Sequence, residues 1–559
     1  MPSPSNSCAA LRTSWPIWLV ALTFGFGARA AAQEPEPEAA ISEPAPTPQA
    51  PAPAGYTGVR ELDQRMRAIG AVELARTASD RPIWLASFGN TDAPGRPAVL
   101  IVANLEGDRL VASELALDLC KHFAAGSPLL DAAAVHILPA ANPDAMAAVL
   151  AGEIPHRGRP IDNDHDGRTD EDPADDLDGD GQVLQLRIPD SSGEWIVDED
   201  DPRAMRKADR SAGERGTHRL EAEGHDEDGD RRNGEDGPGG VALEANFPHR
   251  WRAHRPESSL FQLSERESRT IADFVLANPR IALVIVLDDE DNMASPPGGA
   301  SSSDTDSTEP RSEDAALLSV LSERLYADDE DKPRSAEHGH GNFADWAYFQ
   351  LGLPVIESSV WSIPLDTEGP DGESDGSDEV KMLRWADLHL TDAFHAWSAV
   401  PSRYDGDASV ADGDSGAEIG GWLPLVQHNP PASELEAIGK RYRAFLDGMA
   451  EDFAQLTTKL RREERGGGIV AIELDVTNQG LFATMAEMGA ATRRHVPVRA
   501  ILELPEGGTL LSGRRLQALP RLQGLGGTTT LRWLIQLPAD SQASVRLMSR
   551  TAGETLVEL

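Results

Sequence analysis

Short apolar runs alternate with stretches of helical period through the first two thirds of the chain. Pro97–Asn104 is nearly continuous in Ala, Val, Leu and Ile, which predicts a strand buried on both faces of a mostly parallel sheet. The next stretch carries Val111, Leu115, Leu117, Leu119 and Cys120 at helical spacing, predicting a helix that packs back on that strand. Further strands are expected at Val72–Thr77, Ile83–Phe88, Ala133–Ala140, Ala282–Leu287 and Pro354–Ser358, with helices at Gly58–Gly70, Ser264–Ala277, Asp314–Tyr326 and Asn342–Leu351. Strands alternating with helices point to an α/β sheet covered on both faces. Beyond it, Leu435, Ile438, Tyr442, Phe445, Met449, Phe453, Leu456 and Leu460 recur at steps of three and four, which predicts one long amphipathic helix over 431–466. Gly466-Gly467-Gly468 ends it. From 467 to 559 the pattern becomes short alternating strands with turn residues between them, the signature of a small β-sandwich.

Composition adds three constraints. The net charge of -42 over 559 residues argues against nucleic acid or an anionic membrane as a partner. Arg12, the apolar segment from Trp15 to Phe26 and the small residues Ala28-Arg29-Ala30-Ala31-Ala32 predict a secretory signal peptide over 1–32, hence a secreted or periplasmic protein. That apolar run is short for a membrane span, so no transmembrane segment is expected in the mature chain. Residues 33–55, rich in Pro, Ala and Glu, read as a linker. With Cys8 in the leader, Cys120 stands alone and reads as a core residue.

Much of the acid is concentrated between 160 and 238. Asp162–Asp180 holds ten acidic residues in nineteen. Asp162, Asp164 and Asp166 alternate ahead of Gly167, with Asp170 and Asp172 behind, and Asp176, Asp178 and Asp180 repeat the pattern ahead of Gly181. Asp226, Asp228 and Asp230, with Asn233 and Asp236, give a third group. Alternate carboxylates converging around a glycine turn suit calcium, a hard ion that takes only oxygen ligands. None of the groups has the twelfth-position acid of an EF-hand, since Pro173 occupies it in the first loop. Calcium here is therefore expected to order a long insertion. The competing reading is a solvated acidic surface.

Several stretches stand in a telling order: the Pro97 strand with its turn Leu105-Glu106-Gly107-Asp108-Arg109, then Asn142-Pro143-Asp144, then Gly239-Gly240-Val241-Ala242-Leu243-Glu244-Ala245-Asn246-Phe247-Pro248, the end of the Leu287 strand, and Asp345-Trp346-Ala347-Tyr348. This order resembles the zinc carboxypeptidase family, whose own motif reads GGVDLNRNFP, and the resemblance covers roughly 56–430. It implies an α/β fold with a zinc-carboxypeptidase-like mixed sheet flanked by helices, followed here by the C-terminal all-β sandwich. It also implies a zinc held by His, Glu and His, an Asn-Arg pair for the substrate's terminal carboxylate, and a glutamate as general base.

The matching positions depart from that set. The ligand positions hold Glu106, Arg109 and Asp288, the carboxylate-binding pair falls on Glu244 and Ala245, and Glu357 is the carboxylate nearest the general-base position. Arginine stays protonated and has no lone pair for a metal. Glu244 would repel a substrate carboxylate. One expectation is that Arg109 sits where the metal would, bridged by two carboxylates, because buried charge survives only when paired. The other is that these side chains point to solvent. His338 and His340, two apart in a loop, read as polar surface rather than as a zinc pair.

The functional expectation is a secreted family member that binds a peptide or cell-envelope ligand without cleaving it, with calcium in its acidic loops and the family's zinc absent. An active metallocarboxypeptidase and a calcium-ordered adhesion or matrix protein are the alternatives.

Overall fold

The computed structural model describes residues 54–91, 93, 95–151, 167, 174–225, 232–234, 242–253, 259, 261–300, 308–327, 332–335, 339–366, 376–400 and 416–559. The signal-peptide reading, and the calcium expectations at Asp162, Asp164, Asp166, Asp170, Asp172, Asp226, Asp228, Asp230 and Asp236, lie outside these residues. No helix among the described residues is long and apolar enough to cross a membrane.

The central sheet has six strands in the order Val72–Arg76, Pro82–Phe88, Ala134–Leu138, Ala98–Ala103, Ile281–Leu287 and Val355–Ser358. The last four run parallel to one another, and Pro82–Phe88 and Val72–Arg76 join antiparallel. Every residue of Ala98–Ala103 is buried. Val99, Ile101 and Ala103 enter one core while Ala98, Leu100 and Val102 enter the other, the period of two that a doubly covered strand requires. From Ala98–Ala103 the chain moves to one side, into Ala134–Leu138, and then returns to the other side through Ile281–Leu287. The carboxyl ends of Ala98–Ala103 and Ile281–Leu287 thus flank a topological switch point, where open α/β sheets form their ligand crevices.

The described part of the acidic insertion contributes strands to a second sheet. Strands Gln185–Pro189, Trp195–Val197, Met205–Lys207 and His218–Ala222 join Phe394–Ala399 and Glu418–Trp422 in a second six-stranded sheet, antiparallel throughout. Its small core is built from Leu177, Leu184, Leu186, Ile188, Val400, Ala417 and Ile419.

The long helix expected over 431–466 is half helix and half strand. The helix covers only Leu435–Gly448, where Ile438, Tyr442 and Phe445 are buried, and Leu456–Gly466 is an edge strand paired with Ile469–Asn478. Leu456 and Leu460 lie four apart, a spacing that fits both a helical face and alternate strand positions. Pairing with a fully alternating neighbour decides for the strand. The β-module therefore starts at Leu456, ahead of the expected 467. It stacks two four-stranded antiparallel sheets, with Val470, Ile472 and Leu474 facing Ala500, Leu502, Val545 and Leu547.

Candidate functional site

The crevice is built from backbone turns at three strand ends. After Ala103, Asn104 takes a left-handed conformation (φ 59°), and its side chain accepts the Arg109 N–H at 3.0 Å and donates to Ser113 Oγ at 3.1 Å. This shapes the tight turn Leu105–Arg109. Gly107 is required there, because a Cβ would overlap Ala145 and the Met146 backbone at the start of helix Pro143–Val149. The Asn-Pro-Asp turn is structural. Asn142 caps that helix, and buried Asp144 accepts from Thr77 Oγ1, Ser79 N and Arg81 Nη1 at 2.8–3.1 Å.

Asp288 follows strand Ile281–Leu287 and is only 2% exposed. Its Oδ2 accepts the Leu105 and Glu106 N–H groups, while Oδ1 has no hydrogen-bond partner. Arg109 is 8% exposed. Its guanidinium pairs with Asp108 at 3.0 Å and with Asp289 at 3.7 Å. A buried ion-paired arginine does occur at this turn, but its direct partners are Asp108 and Asp289 rather than the expected Glu106 and Asp288. The reason is local: backbone N–H groups occupy Asp288 Oδ2, and the guanidinium reaches the next carboxylates along each turn. Burial works against the Arg109 charge, yet Asp108, Asp288, Asp289 and Glu106 together outweigh it and hold its pKa above the ordinary arginine value. Burial, then Asp289 and Glu106, push Asp288 well above the carboxylate range, against the pull of Arg109.

Glu244 sits on the 3-10 turn Leu243–Ala245 and accepts the Phe343 N–H at 2.9 Å through Oε2, while its Oε1 has no partner. Burial, followed by Asp288 and Glu290, raises it well above its usual range. Ala245 offers only a buried methyl group. Glu357, on strand Val355–Ser358, is 5% exposed and clamped by Asn292, which donates to its Oε2 at 3.1 Å and accepts its N–H at 3.0 Å. It also hydrogen-bonds Glu290, and burial together with that neighbour raises Glu357 well above the carboxylate range. Glu106, Arg109, Asp288, Glu244 and Glu357 thus lie close enough for their charges to act on one another at the carboxyl ends of the strands. Sequence reasoning missed Asp289, Glu290 and Asn292 there, although the acidic run Asp288-Asp289-Glu290-Asp291 directly after an apolar strand was a visible signal.

The His-x-x-Glu spacing itself occurs twice, at His254–Glu257, which lies outside the described residues, and at His218–Glu221. The latter is on strand His218–Ala222, where residues three apart face opposite sides of the sheet, so it cannot form a two-ligand turn. Among the described residues, one group brings three carboxylates within 4.8 Å of one another: Asp176, Asp178 and Glu223. Glu223 is fully buried and accepts Leu177 N at 2.7 Å and Leu184 N at 2.8 Å. Asp176 folds its own loop by accepting Gly179, Asp180 and Gly181 N–H groups at 2.7–3.1 Å. Asp180 turns towards His395, at 3.8 Å, and Asn233 donates to Gly224 O at 3.2 Å. Glu223 was not singled out from sequence because it follows strand His218–Ala222, far along the chain from the loop it joins.

Residues 60–172 match the family model described as zinc carboxypeptidase, and residues 456–559 match a domain of unknown function. No curated protein matches the chain. Solved structures with some likeness include bovine thrombin-activatable fibrinolysis inhibitor, at 11% identity over 60% of this chain and 93% of that one with a TM-score of 0.33. Another is carboxypeptidase A from Helicoverpa armigera, at 14% identity over 59% and 69% with a TM-score of 0.32. Both TM-scores are low, so the assignment rests on the family model, whose match spans the central sheet's first strands and the Leu105–Arg109 turn. Residues 60–172 of this chain are thus similar to the zinc carboxypeptidase family.

Proposed function

We propose that this protein is a non-catalytic member of that family, secreted or periplasmic, which binds a peptide or cell-envelope ligand in the crevice without hydrolysing it. The observation that carries this reading is Arg109, a buried, ion-paired guanidinium at a position where the family needs a metal ligand. A catalytic zinc takes about three donors with free lone pairs and keeps one place open for water. Glu106, Arg109 and Asp288 do not fit that requirement, because the Arg109 guanidinium has no lone pair to donate.

The acidic insertion supports a second element of the reading, a calcium site. Asp176 and Asp178, with buried Glu223, supply an oxygen-only donor set of the kind calcium takes.

The test is elemental analysis of the purified mature chain after dialysis against trace zinc and calcium, paired with a C-terminal peptide hydrolysis assay. Calcium without zinc, and no release of C-terminal residues, is the expected result. Stoichiometric zinc with peptide turnover would overturn the non-catalytic reading in favour of an active carboxypeptidase.

A further inference from the structure

The C-terminal module leaves one sheet face uncovered. That sheet runs in the order Leu516–Ala518, Arg499–Glu503, Ser544–Met548 and Glu554–Glu558. Ala500, Leu502, Val545 and Leu547 enter the module's core, so the alternate residues of these strands point outward. Pairing sets Leu516, Ile501, Arg546 and Leu556 in one row across the outer face, and Ala518, Arg499, Met548 and Glu554 in the next. Leu516, Met548 and Leu556 are 56%, 41% and 54% exposed, three of the eleven large apolar side chains that the described residues expose. Neighbouring apolar side chains left open on one face are characteristic of an interaction surface. The module is seated on the rest of the chain elsewhere: Asp314 accepts the N–H groups of Glu487 and Met488 at 2.8 and 3.1 Å, and Gly352 meets Gly489 backbone to backbone.

The charges on this face are sorted from edge to edge. Glu554 and Glu558 stand on one edge strand, while exposed Arg514 and Arg515 lead into the other. In the middle, Arg546 donates to Glu503 at 2.8 Å and to Glu554 at 2.5 Å, which neutralises it within the sheet. Residues 456–559 hold 13 Lys and Arg against 10 Asp and Glu. This end of the chain therefore eases the repulsion that a net charge of -42 sets between two copies.

We propose that the protein forms a twofold dimer through this face, sheet against sheet. The occupant is a second copy because the face complements itself. A twofold axis parallel to the strands, between Arg499–Glu503 and Ser544–Met548, turns each edge strand over the opposite edge strand of the other copy. Leu516 then meets Leu556 of the second copy, Arg499 meets Met548, and the acidic edge lies over the basic edge. Neither row sets two like charges opposite each other. The alternative in-plane axis, along the rows, would set Arg546 on Arg546 and Glu554 on Glu558, and opposed like charges are costly. The parallel axis also keeps the facing strands aligned, the usual arrangement of packed sheets.

The test is sedimentation velocity of the full mature chain over a range of concentration and salt, paired with crosslinking. A dimer that weakens as salt rises is expected, since its edges are held by exposed charges. Leu556→Asp and Leu516→Asp should each raise the dimer Kd by at least about tenfold, because the symmetry repeats either change twice in one interface. A bis-maleimide spanning about 10 Å, the distance between packed sheets, should link a mixture of Leu516→Cys and Leu556→Cys chains far better than either variant alone. Cys120 is buried and leaves that reaction to the introduced thiols. The crosslink also decides the question if an Asp variant does not fold. A chain that stays monomeric at about 0.1 mM, a dimer indifferent to Leu556→Asp, or equal crosslinking of one variant by itself would overturn the proposal.

Discussion

Replacing Arg109 with Met isolates what the buried cation does for the fold. Met keeps most of the aliphatic volume, so the change removes a charge without opening a large cavity. The guanidinium lies 3.0 Å from Asp108 and 3.7 Å from Asp289, and Asp288 beside them is 2% exposed. Removing one partner of a buried ion pair costs about 3–5 kcal/mol, because the remaining charge stays desolvated. The Asp108 and Asp289 side chains are 18% and 27% exposed, so solvent screens part of this and the low end, about 3 kcal/mol, is expected at neutral pH. The pH dependence carries the sign. Asp288 and Asp289 already titrate above their ordinary range, through burial first, and losing Arg109 raises both further. A carboxyl whose folded pKa is raised stabilises the fold below the unfolded value, about 3.9, and that contribution is lost as pH rises through the folded pKa. The Arg109→Met penalty should therefore be small near pH 4 and grow towards pH 8. Urea unfolding followed by tryptophan fluorescence at several pH values measures it. A variant as stable as the wild type at pH 8, or a penalty that does not change with pH, would refute the account of Arg109 as the neutralising charge of this crevice.

Calcium should raise the melting temperature in a concentration-dependent way, by about 2.7 kcal/mol of stability at one hundred times Kd, and Glu223→Gln should abolish the shift; an equal shift in that variant would exclude Glu223 as a ligand. Asp314→Ala strips two backbone N–H groups and the Tyr348 hydroxyl of their acceptor, and should cost about 3 kcal/mol. Limited proteolysis near Leu456 checks whether the C-terminal module loosens, and an unchanged digestion pattern would contradict the docking role. Gly352→Ala places a Cβ at φ 72° against the Gly489 backbone and should destabilise by at least about 2 kcal/mol in thermal unfolding. Neutrality there would mean that the two modules separate more easily than their contact implies.

Legibility differed from element to element. The strand expected at Pro97–Asn104 stands at Ala98–Ala103, because a continuous apolar run can satisfy two cores only as a central strand. The turn after it was readable for the same reason: a strand of that kind must end where its polar residues begin. Leu456–Gly466 was misassigned because Leu456 and Leu460 satisfy two periods at once. The insertion's sheet was invisible because its strands are short, lie between acidic loops and pair across long separations, Leu186 with Ile419 for example.

By itself the sequence determined residue chemistry and local pattern. An arginine at position 109 cannot bind a metal wherever it points. Tertiary structure alone decided which charges meet. It set Arg109 against Asp289, tied Asp288 to the Leu105 and Glu106 backbone, gave Glu357 a partner in Glu290, and brought Glu223 to Asp176 and Asp178. The physical reason is that Coulomb and hydrogen-bond energies depend on separations of a few ångströms. Those separations follow from sheet register and turn conformation, which join residues far apart in the chain and leave no mark on the local pattern of either partner.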